Sequence, residues 1–122
     1  MDLSGLAREP AVIEAVLADP LFHRRGTARL STEVTTAISR VQAHAGDLTV
    51  PLLVLHGSAD RMVPPDGSRE FCRKAPNRLC ELREYSGAYH GLFADLDQVQ
   101  VLTHVERWMT ARLADLPKGH RT

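Results

Sequence analysis

No apolar run in this sequence approaches the ~20 residues that a membrane-spanning helix needs, and no charge of one sign dominates it. Lys plus Arg and Asp plus Glu number 15 each among 122 residues, so no net field draws the chain toward nucleic acid or an anionic bilayer. Aromatic residues are scarce at 5%, too few for the stacking platforms that hold single-stranded nucleic acid. The two cysteines, Cys72 and Cys80, are too few for a disulfide framework and do not form a Cys-x-x-Cys pair. They read as small buried hydrophobes in a reducing cytosol. The opening Met1-Asp2-Leu3-Ser4 shows no basic region followed by an apolar one, so no secretory leader is evident. The expectation is a soluble, cytoplasmic protein with no nucleic-acid partner and no integral membrane segment.

What the chain does have is a short stretch that makes demands on the rest. Val50-Pro51-Leu52-Leu53-Val54-Leu55-His56 is apolar without alternation, is broken by Gly57, and ends on a carboxylate at Asp60. A continuous Val/Leu run bounded by turn residues fits a strand buried on both faces. Such a strand needs neighbours on both sides. The length sets a single domain with a modest core, and 43% hydrophobic with 25% charged residues is ordinary globular composition.

The segments before this strand read as helical. Pro10 suits a first helical turn and Ala11 to Ala18 continues it, until Asp19-Pro20 stops the helix. Leu21 to Gly26 is a loop, with Arg24-Arg25 solvated. A second helix takes Ser31 as N-cap and repeats Val34, Ile38, Val41 and Ala45 on one face, with Gly46 at its C-terminal cap. After the strand, Val63-Pro64-Pro65-Asp66 turns into a short helix over Ser68 to Ala75, with Phe71 and Cys72 inward. Leu79 to Tyr85 reads as a second strand. A long helix then runs from about Asp95 to Ala114, with Leu96, Val99, Leu102, Val105, Met109 and Leu113 as its buried stripe and Trp108 beside it. The polar residues after Leu116 read as a frayed tail.

Strand, helix and strand within about 35 residues form a parallel βαβ unit by default. Loops at the carboxyl ends of parallel strands are where such sheets place their sites. Asp60 follows the first strand and His90 the second, thirty residues later. On neighbouring strands ~4.8 Å apart the two loops can touch, and a carboxylate so placed fixes an imidazole's tautomer and stabilises its protonated form. The bland alternatives are a turn-forming Asp60 after Gly57 and a His90 bonded to a backbone carbonyl. His56, at the strand end, reads as a satisfied structural histidine. His56, Asp60 and His90 have the residue types of a metal site, but their spacing does not assure ligand geometry.

The run Pro51 to Pro65, with its Gly57-Ser58-Ala59-Asp60-Arg61-Met62-Val63-Pro64, and the later Gly87-Ala88-Tyr89-His90 resemble the end of an α/β-hydrolase. The resemblance is to the monoacylglycerol lipase and lysophospholipase-like group, the serine aminopeptidase S33-type hydrolases. There the catalytic acid sits in a Gly-x-x-Asp-x-x-Val-Pro context and the catalytic histidine in a Gly-x-x-His context, the positions of Asp60 and His90. Ala18-Asp19-Pro20-Leu21-Phe22-His23 is similar to part of that group's helical lid. The resemblance implies an α/β fold comprising the last two parallel strands and helices of the hydrolase core over residues 50–116. Before it comes a helical lid segment over 1–49, and after it a disordered tail over 117–122.

It also implies ester hydrolysis, of monoacylglycerol or lysophospholipid type, by a Ser-His-Asp triad with no cofactor. One member is missing. Family members carry a Gly-x-Ser-x-Gly elbow, and this sequence has none around Ser4, Ser31, Ser39, Ser58, Ser68 or Ser86. The simplest expectation is a truncated reading frame that begins inside the lid and is inactive alone. The alternative is a non-catalytic remnant or interaction module. It would pair with a separate N-terminal half, or with itself, through the strand edge left open.

Overall fold

In a computed structural model that describes residues 2–23 and 25–115, the apolar run forms strand β1, Leu52–Gly57, and the second run forms β2, Cys80–Tyr85. They pair in parallel, in register from Leu52 opposite Cys80 to Gly57 opposite Tyr85. Helix α3, Asp66–Lys74, makes the crossover between them. Helices α1, Pro10–Ala18, and α2, Ala28–Ala43, precede the sheet, and α4, Gln98–Ala114, follows it. The tail expected over 117–122 lies outside the described residues.

Local chemistry explains the boundaries. Pro10 opens α1, where its missing N–H costs no hydrogen bond. Helix α2 starts one turn before Ser31, because Thr27 Oγ1 accepts the Leu30 N–H at 3.1 Å and so caps the earlier turn. Its end also comes sooner than the apolar repeat implies: His44 is the C-cap, and Ala45–Asp47 tightens into a 3-10 turn that buries Ala45 and includes Gly46. Helix α3 starts at Asp66 rather than Ser68, directly after Pro64-Pro65. Arg69 on α3 reaches both carboxylate oxygens of Glu84 on β2, at 2.8 and 2.6 Å, and ties helix to strand.

The core lies at the carboxyl end of the strands. Tyr85, Ala88, Leu92 and Val101 form it, with Leu55 packed against them. Val101 is the anchor of α4 and is fully buried, with Val105 and Trp108 half-buried along the same side. This corrects the expected stripe: Leu96, Val99, Leu102, Met109 and Leu113 are exposed. Helix α4 is apolar on more than one side, and a sheet of two strands covers only the side that carries Val101. Leu30, Val34, Ile38 and Val41 of α2 are exposed as well. Their face borders an open apolar groove of about 490 Å³, whose other walls include Leu52, Val54 and Phe71.

The cysteines also differ from expectation. Cys72 and Cys80 are half-buried and joined in a disulfide, with Cα atoms 5.2 Å apart. The turn after α3, with Arg78 in the left-handed region at φ 72°, folds the chain back so that α3 meets the first residue of β2. Spacing along the sequence carries no sign of that approach. Closing so short a loop stabilises by about 2.5 kcal/mol on the chain-entropy account. Reductant should therefore lower the melting temperature by about 10 °C. A thiol assay that titrates two free cysteines before reduction, with melting indifferent to reductant, would refute the bridge.

Candidate active site

The two loops at the carboxyl ends of β1 and β2 interlock before either side chain is considered. Ser58 N–H donates to Tyr85 O at 2.9 Å, Ala59 N–H donates to Ala88 O at 3.0 Å, and Gly87 N–H donates to Ser58 Oγ at 2.9 Å. Gly57 makes this possible. A Cβ there would stand 2.3 Å from the carbonyl oxygens of both Ala88 and Tyr89, closer than any side chain tolerates. The glycine that breaks the apolar run is thus the point where the second loop crosses the first.

That crossing brings Asp60 and His90 together. His90 Nδ1 lies 2.9 Å from Asp60 Oδ2. An ionised carboxylate only accepts, so the neutral imidazole carries its proton on Nδ1 and leaves Nε2 with a free lone pair. The burial of the two partners is unequal: the Asp60 side chain is 2% exposed, that of His90 41%. Asp60 Oδ1 accepts the N–H groups of Met62 and Val63, both at 2.9 Å. Burial pushes the Asp60 carboxyl upward. The hydrogen bonds from Val63, His90 and Met62 outweigh it and hold the group below the ordinary value of 3.8. The Asp60 carboxylate is kept charged while the His90 imidazole faces an open cleft bordered by Ser4, Gly5, Arg61 and Met62.

His56 is the second imidazole near this carboxylate. Its Nε2 donates to Val63 O at 2.8 Å, with Asp60 Oδ2 at 3.4 Å, and its Nδ1 meets Ser68 Oγ at 2.8 Å. Both ring nitrogens are engaged in bracing the Asp60 turn against α3, which agrees with a structural histidine. Among the described residues no group of three or more His, Cys, Asp and Glu side chains is arranged to hold a metal ion. The cleft's N-terminal wall went unread in the sequence. His90 N–H donates to Gly5 O at 3.2 Å and Gly91 N–H to Leu6 O at 2.6 Å, and Arg61 Nη2 donates to Ser4 O at 3.0 Å. Leu3 and Ala7 of this segment are buried, but eight residues are too short a window for their spacing to signal such packing.

Residues 1–97 match the serine aminopeptidase S33 family. The chain belongs to that family. Its similarities lie in the monoacylglycerol lipase-like group of α/β-hydrolases. It is 32% identical over 117 residues to a monoacylglycerol lipase of Mycolicibacterium smegmatis, covering 93% of this chain and 41% of that protein. To the human monoglyceride lipase it is 33% identical over 117 residues, covering 93% of this chain and 39% of that one. The crystal structure of the Paleococcus ferrophilus monoacylglycerol lipase superposes with a TM-score of 0.86 at 28% identity, over 91% of this chain and 44% of that chain. This S33-family chain therefore spans about two-fifths of the length of these relatives, and its fold is the C-terminal part of an α/β-hydrolase, as the motifs imply. No helix among its described residues is long and apolar enough to cross a membrane.

Two consequences follow for measurement. Gly57→Ala must push the two loops apart and should cost about 3 kcal/mol, read as a lower urea midpoint together with loss of the His90–Asp60 contact by imidazole NMR; an unchanged midpoint would contradict the crossing. Because the Asp60 carboxyl is lowered on folding, its contribution to stability is present above the ordinary value of 3.8 and is lost as pH falls through the folded value. Between pH 6 and pH 3 the wild-type midpoint should drop more than that of Asp60→Asn, and parallel curves would argue against the lowered carboxyl.

Proposed function

We propose that this chain supplies the acid and the base of a serine hydrolase acting on carboxylic esters of monoacylglycerol or lysophospholipid type. The observation that carries the reading is the 2.9 Å contact between an exposed imidazole and a buried carboxylate, at the carboxyl ends of two adjacent parallel strands. His90 Nε2 takes the proton of a serine hydroxyl as its oxygen bonds to the ester carbon. The same nitrogen then protonates the alcohol as the ester C–O bond breaks, while Asp60 stabilises the imidazolium in between. Water repeats the sequence on the acyl-enzyme and frees the acid. No cofactor enters this chemistry.

The sequence has no Gly-x-Ser-x-Gly, so the serine and the oxyanion hole come from outside these 122 residues. The lipid-type substrate rests on the named activities of the relatives and on the apolar groove under α2, with residues 1–49 assigned to the lid. A second reading, a non-catalytic module that pairs with a separate N-terminal half, is favoured by the exposed apolar side of α4.

One experiment separates the two. The chain is joined to the nucleophile-bearing portion of the Mycolicibacterium smegmatis lipase, and monoacylglycerol hydrolysis and fluorophosphonate labelling are measured. Hydrolysis that falls at least ~10⁴-fold in His90→Ala supports the catalytic reading. A folded chimera without turnover supports the module. The 122-residue chain alone should take no fluorophosphonate, and labelling of one of its own serines would contradict an external nucleophile.

A further inference from the structure

The exposed His90 ring makes one side-chain hydrogen bond, to Asp60, so its placement depends on the backbone beneath it. That backbone is held by the N-terminal segment through Gly5 O and Leu6 O. The approach is close: a Cβ on Gly91 would stand 2.9 Å from Leu6 O. The segment is in turn fastened at its other end. Asp95 Oδ1 accepts the backbone N–H groups of Arg8 and Glu9 at 3.0 and 3.1 Å, and Oδ2 accepts Arg8 Nε at 2.9 Å. Arg8 also pairs with Asp97. The Asp95 side chain is 1% exposed, and its two backbone donors are Glu9, the N-cap of α1, and Arg8 just before it. A carboxylate is favoured there by the free N–H groups and the helix dipole.

We infer that Asp95 is a positioning residue for His90, acting through residues 5–9 on the loop that bears the imidazole. This rests on the hydrolase reading for its catalytic meaning, but its physical content does not. A ring displaced by about 1 Å can lose orders of magnitude in proton-transfer efficiency, and Asp60 alone holds only one of its atoms. Burial raises the Asp95 carboxyl, and its bonds to Arg8, Leu96 and Glu9 overcome that and keep it below the ordinary range. The latch is therefore charged at neutral pH.

The test uses the 122-residue chain. In Asp95→Ala, amide exchange at Gly91 should rise at least ~10-fold relative to Val54 in β1, and the His90 Nδ1–H proton resonance should shift or broaden. Asp95→Asn, which keeps the volume and one acceptor, should show the same changes in smaller degree. It carries the test if the alanine variant does not fold. Protection of Val54 and Leu82 reports the intact sheet, so general destabilisation is separated from loss of the latch. Unchanged Gly91 exchange and an unchanged His90 resonance in a folded Asp95 variant would overturn the assignment. In the chimera, Asp95→Asn should lower kcat with KM preserved. An inert chimera whose His90 signal still depends on Asp95 overturns the hydrolase reading alone. An active chimera whose Asp95 variants keep both kcat and the His90 signal overturns the positioning role alone.

Discussion

The crossing of two loops over Gly57 is the constraint on which the rest of this structure depends. Two strands by themselves make a marginal ribbon. Here the ribbon is continued past its carboxyl end by the hydrogen bonds of Ser58 and Ala59 to Tyr85 and Ala88. The core of Tyr85, Ala88, Leu92 and Val101 packs directly behind that joint. Side-chain bulk at residue 57 would separate the loops, and with them Asp60 from His90. The same backbone contact thus serves packing and the site at once, and the site's geometry follows from strand register rather than from long, adjustable side chains.

How far the sequence revealed this varies with the range of the interaction responsible. The strands, α1 and α3 were legible because apolar runs and prolines act over a few residues. The meeting of Asp60 and His90 was legible because parallel register carries two sequence-distant loops to one end of a sheet. The buried side of α4 was misread for a definite reason. Periodicity marks every apolar side of a helix, but only contact tells which one is covered, and Val101 lies off the richer stripe. The start of α2 was set by a threonine cap one turn earlier than the serine that also fits the rule. Cys72 and Cys80 meet through a turn geometry that cysteine counting does not sense.

The exposed apolar sides of α2 and α4 have a common physical cause. A sheet of two strands is too narrow to cover them, and the relatives are more than twice as long as the stretch they share with this chain. Arg69 and the disulfide fasten α3 to β2 on one flank. Among the described residues no ion pair or disulfide fastens α2 to its neighbours, and it touches α3 through the bond from Gln42 Nε2 to Gly67 O. Helix α2 is thus attached near its end, while its apolar middle borders an open groove.

Two buried aspartates stand at opposite sides of the loop that carries His90, and they do different physical work with the same chemistry. Each satisfies two backbone N–H groups with one oxygen and a cationic or cation-forming side chain with the other: Met62, Val63 and His90 for Asp60, and Arg8, Glu9 and the Arg8 guanidinium for Asp95. In both, burial alone would favour the neutral acid, and the converging donors reverse that preference. The difference lies in the partner. Arginine keeps its charge, so Asp95 forms a permanent fastening. An imidazole has a neutral form that a guanidinium lacks, and His90 meets Asp60 through the single contact at Nδ1. A fixed ion pair on one side and a single imidazole–carboxylate contact on the other hold the loop and leave Nε2 of His90 facing away from Asp60.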